Sequence, residues 1–100
     1  ADRFLEIEAK AKELKAQLPS EAEHSADGVA LTYVILTAQQ KAAESKEDLL
    51  TLATMTDSWN SFEKNVSSLP TMENQSVWRT FASRQKDRSS MALGNEKTSL

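Results

Sequence analysis

One hundred residues with a formal net charge of −3, 39% hydrophobic side chains and a mean hydropathy of −0.54 suit one modest core and leave little room for a second domain. Cysteine is absent, which excludes disulfides, thiolate nucleophiles and Cys-ligated metals. The acidic balance argues against a generic polyanion binder, and the longest apolar run, residues 29–38, is too short to cross a bilayer as a helix.

Pro19 follows the first long segment, Gly28 heads the second, Pro70 separates the third from the fourth and Gly94 follows the last, which predicts helices near 3–18, 28–44, 46–69 and 72–93. In the first, Phe4, Ile7, Ala11, Leu14 and Leu18 recur at alternating spacings of three and four, the stripe of an amphipathic helix. Glu6 with Lys10 and Glu8 with Lys12 are i,i+4 pairs in the favourable order. Pro19 stops the helix, because it lacks the N–H that the next turn needs.

The second segment places Leu31, Ile35, Ala38 and Ala42 on one face, with Val34 beside them. Val29, Thr32, Tyr33 and Thr37 are strand-favouring types. Helix is expected all the same, since the Ala/Gln/Lys/Glu run continues it smoothly and no second strand is available for pairing.

In the third segment Ser45 is an N-cap candidate, and Leu52, Met55, Trp59, Phe62, Val66 and Leu69 form the longest seam in the chain. Leu49, Leu50 and Ala53 lie off it, which suggests a second neighbour at that end. The fourth segment begins at Thr71 or Asn74 and stops at Gly94–Asn95. Its apolar face is thin: Trp78, Phe81, Ala82 and Ala92, interrupted by Gln85 and Ser89. It is therefore expected to be the loosely held helix, one that packs fully with a partner's help.

These patterns predict an all-α fold, an antiparallel up-down-up-down four-helix bundle over residues 1–94 with a flexible tail at 95–100. The principal core candidates are Phe4, Ile7, Leu14, Leu18, Leu31, Val34, Ile35, the six seam residues, Trp78 and Phe81.

Chemistry-bearing motifs are sparse. His24 is the only histidine and lies in a polar connection, so neither a zinc set nor a Ser-His-acid triad is expected. There is no glycine-rich phosphate loop, no calcium loop and no dinucleotide fingerprint; the reading is of a non-enzyme without cofactor or metal. Asn65-Val66-Ser67 and Asn74-Gln75-Ser76 fit the glycosylation triplet, a short pattern that also arises by chance.

Residues 76–88, SVWRTFASRQKDR, set aromatic against basic side chains. At 100° per residue Trp78, Phe81 and Gln85 share the apolar face, while Arg79 and Lys86 flank it on one side and Arg84 and Arg88 on the other. Flanking cations suit an amphipathic helix whose long side chains cover apolar edges; a duplex binder needs them converging on one phosphate track. The preferred function is accordingly a non-catalytic protein-interaction module or structural subunit, with Trp78, Phe81 and Gln85 at the protein-binding surface. The partner is another protein or a second copy. The rival is an anionic-ligand binder, for nucleic acid or a membrane surface, through Arg79, Arg84, Lys86 and Arg88. Integral membrane insertion and a small-molecule substrate are not expected.

Overall fold

A computed structural model describes residues 2–22 and 25–99. The fold is all-α: α1 (Asp2–Ala16), α2 (Ala26–Ser45), α3 (Leu49–Val66) and α4 (Met72–Ser99), alternating in direction, with one 3₁₀ turn at Ser20–Ala22. No strand occurs among the described residues, so the 29–38 run is helical throughout.

Local chemistry sets the boundaries. Ser25 caps α2, its side chain accepting from the Gly28 N–H. The cap of α3 is Asp48 and not Ser45, which is the last residue of α2. Asp48 Oδ1 accepts from the Thr51 N–H at 3.1 Å and Oδ2 from the Thr51 hydroxyl at 2.7 Å. Those bonds, the hydroxyl's first, hold the Asp48 carboxyl below its ordinary pKa.

The α2–α3 reversal is a Schellman-type closure. The Asp48 N–H bonds Ala43 O at 2.9 Å, and Glu47 turns the chain with φ of 54°. Thr71 caps α4, accepting from the Asn74 N–H, and Gln75 Nε2 bonds Leu69 O across the preceding turn. The stop expected at Gly94–Asn95 is not used; α4 runs on to Ser99.

The core lies among α2, α3 and α4. All six seam residues of the third segment are 2% or less exposed. Around them gather Val29 and Ala82, with Tyr33, Leu36 and Trp78 packed against the cluster. Full burial of one such large apolar side chain contributes about 1.5–3 kcal/mol, so this seam dominates the apolar stabilisation.

The weakly held element is α1 rather than α4. Among the described residues α1 packs on α2 and on neither α3 nor α4, and the molecule is correspondingly flat, 45 × 28 × 16 Å. Of its expected core stripe only Ala11 is buried; Phe4 and Leu18 are half-buried, and Ile7 and Leu14 are exposed. Val34, also expected inside, is exposed beside them. One neighbour covers only one side of an amphipathic stripe.

By contrast α4 is well seated along α3, with Ala82 and Ser89 fully buried. The polar interruptions of its apolar face are satisfied: Ser89 Oγ donates to Leu52 O at 2.9 Å. Leu50 and Ala53 have no second neighbour and are exposed, Leu50 by 79%.

Candidate functional site

Tyr33 sits at the junction of α2, α3 and α4. Its ring lies 5.6 Å from Trp59, 6.1 Å from Phe62, 5.4 Å from Trp78 and 5.8 Å from Phe81. Trp59 packs edge-on against Phe62, and Trp78 against Phe81. Trp59 and Phe62 are buried, whereas Trp78, Phe81 and Tyr33 keep part of their rings at the surface. The cluster therefore has a dry end made by α3 and a wet end where α4 meets α2.

A polar chain runs through it. Gln40, fully buried on α2, accepts from Trp59 Nε1 at 2.8 Å through Oε1. Its Nε2 donates to the Gln85 backbone oxygen at 2.9 Å and to Gln85 Oε1 at 3.2 Å. Gln85 Nε2 in turn reaches the Tyr33 hydroxyl at 3.4 Å. Three helices are thus tied by side-chain amides whose hydrogen-bonding groups would be costly to bury unpaired.

The structure brings Trp78, Phe81 and Gln85 together around Tyr33. The four cations remain in two groups. Arg79 Nη2 bonds Ser67 Oγ at 2.7 Å, and Lys86 Nζ pairs with Glu63 at 2.8 Å and bonds Asn60 Oδ1 at 3.1 Å, so both lean on α3. Arg88 Nε pairs with Glu44 of α2 at 3.0 Å. Arg84 is exposed and makes no ion pair among the described residues.

Beside the wet end is a groove of about 240 Å³ between α1 and α2, lined by Phe4, Ile7, Tyr33, Val34, Thr37 and Lys41. Thr37 Oγ1 is shut off from solvent there without a hydrogen-bond partner. The sequence reading missed this groove because it placed Ile7, Val34 and Phe4 in the core. The signal available was the excess of apolar stripe on α1 over what one neighbouring helix can cover.

No group of three or more potential metal ligands occurs among the described residues. His24 lies outside them. No helix is long and apolar enough to cross a membrane among the residues described. No protein family, curated protein or solved structure matches the chain.

Proposed function

We propose that the protein is a non-catalytic helical module that docks another protein or a second copy of itself. The working side is the aromatic edge formed by Trp78, Phe81 and Gln85, together with the adjoining α1–α2 groove. The observation that carries this reading is the incomplete cover of that side: Ile7, Leu14 and Val34 stay exposed, and Trp78 and Phe81, at the margin of the α2–α3–α4 core, are only half-buried. Apolar surface grouped in this way next to a rigid core marks interaction sites.

The rival reading, an anionic-ligand site made by Arg79, Arg84, Lys86 and Arg88, is weaker. Lys86 and Arg88 are engaged by Glu63 and Glu44 on opposite flanks of α4, so the four charges do not share one track.

A photo-reactive benzophenone side chain at Val77, exposed on the same edge, tests the module directly in cells expressing the protein. It should give discrete adducts, identified by mass spectrometry, that are missing when the probe sits at exposed Asp57 on α3. Sedimentation across concentration separates self-association from a different partner. Adducts at neither position with a concentration-independent monomer mass would refute the proposal. Salt-sensitive heparin binding abolished by Arg84→Glu would favour the rival.

A further inference from the structure

Three stripes with one spacing line the side just described. On α1, Arg3, Ile7, Lys10 and Leu14 fall within about 60° of one another at 100° per residue. On α2, Ala30, Val34, Thr37 and Lys41 do the same, and on α4, Val77, Phe81, Arg84 and Arg88. Each stripe steps four, three, four, and each mixes apolar side chains with a cation.

The stripes share one side of the flat molecule. The groove joins Ile7 of α1 to Val34, Thr37 and Lys41 of α2. Tyr33 carries the surface on to Phe81, and Arg88 reaches across to Glu44. The result is a trough whose recess is the α1–α2 groove, bordered on its other side by α4 through Phe81 and Arg88.

Its charge runs against the rest of the chain. Acidic residues outnumber basic ones 15 to 12 overall, yet the twelve stripe residues include no carboxylate, and Asp27 lies beside Leu14 and Ala30 at one end. Glu44, next to the α2 stripe, is taken up by Arg88. Arg3, Lys10, Lys41 and Arg84 make no ion pair among the described residues. The exposed apolar members are Ile7 at 40%, Leu14 at 42%, Val34 at 37% and Val77 at 48%.

We infer that this trough receives an amphipathic helix whose apolar stripe is flanked by carboxylates. The inference rests on the protein-interaction reading and adds the chemistry of the partner. An inserted helix supplies a ridge of apolar side chains to the recess, as helix-in-groove recognition requires. Carboxylates on its two flanks meet the unpaired cations on both sides and disfavour wrong partners by repulsion. A bilayer surface fits less well, because Ile7 and Val34 line a recess and do not form a protruding apolar face. A phosphate backbone would leave the apolar recess unused.

The probe is a synthetic peptide of about 18 residues with leucine at heptad positions a and d and glutamate at e and g, whose mutual repulsion keeps it from pairing with itself. The matched peptide carries lysine at e and g. By fluorescence anisotropy at low salt the glutamate peptide should bind at least about tenfold tighter than the lysine peptide, with the difference shrinking as salt is added. Lys41→Glu combined with Arg84→Glu should invert that preference. Val34→Asp should weaken both peptides, with helicity by circular dichroism unchanged in either variant.

Equal binding of the two peptides, no binding of the glutamate peptide, or tighter binding to vesicles of phosphatidylserine and phosphatidylcholine than to the peptide would overturn the inference. Failure of the glutamate peptide while Val77 adducts persist removes the acidic partner and leaves the module standing. Loss of both removes both.

Discussion

Replacing Gln40 by Ala deletes a buried side chain whose hydrogen bonds join α2 to both α3 and α4. Gln40 is fully buried and accepts from Trp59 Nε1 at 2.8 Å, so in the variant an indole N–H is left in the dry end of the aromatic cluster. An orphaned buried donor costs about 1–3 kcal/mol, and the space left by the lost amide adds about 1 kcal/mol. The Gln85 backbone oxygen also loses its contact from Gln40 Nε2, a smaller effect because it sits within α4. The sum is about 2–4 kcal/mol, against a total of about 5–15 kcal/mol for a domain of this size. At about 4–8 °C per kcal/mol the melting temperature should fall by about 10–30 °C. Thermal and urea denaturation followed by circular dichroism measure this. Gln40→Met, which retains volume but still orphans the indole, should fall between the wild type and the alanine variant. A Gln40→Ala protein melting within about 3 °C of the wild type would show that the buried amide chain does not tie the helices, and would refute the reasoning.

The α2–α3 turn yields two further expectations. Glu47 holds φ of 54°, a left-handed conformation that penalises a Cβ, so Glu47→Gly should stabilise by about 0.5–1 kcal/mol; a lower urea midpoint would contradict the turn geometry. Asp48 has a folded-state pKa below its ordinary value, chiefly through the Thr51 hydroxyl and then the Thr51 N–H. A depressed carboxylate pKa contributes stability that is present above the unfolded value and lost as pH falls through the folded one. The melting-temperature gap between wild type and Asp48→Asn should therefore be open at pH 6 and narrow as pH falls into that window; a gap that widens on acidification would reverse the assignment.

Legibility followed side-chain size and number of neighbours. The α3 seam was readable because six large residues at heptad spacing leave one way to bury them, and Trp59 and Phe62 are at its centre. The strand-favouring 29–38 run gave a helix because tertiary partners on α1 and α3 outweigh weak local preference. The stripe on α1 was equally clear, but periodicity states that a face is apolar and not how many elements meet it; Ile7 and Leu14 are at the surface for that reason.

Small and polar residues were the other blind spot. Ala38, Ala42 and Ala82 were readable as members of apolar faces but not as core, and Ala43 not at all; all four are buried because close-packed helices need small side chains where they approach. Gln40 and Ser89 are buried because their partners arrive from elsewhere in the chain, Gln85 and Leu52 respectively. No local pattern announces such pairs. At the candidate site, grouping Trp78, Phe81 and Gln85 followed from helical geometry alone, whereas the place of Tyr33 depended on how α2 packs on α4, and the groove beside it on the packing of α1.

Everything functional here depends on a closed α2–α3–α4 core with α1 laid along one edge of it, and residue-resolved amide hydrogen exchange tests that arrangement most directly. Amides of α3 from Leu52 to Val66 should exchange only by global unfolding, while those at the centre of α1, from Ile7 to Leu14, should open at clearly lower free energy and with weak dependence on denaturant. Equal protection of α1 and α3 would mean that α1 is enclosed on more than one side, and the trough between α1 and α4 would not exist.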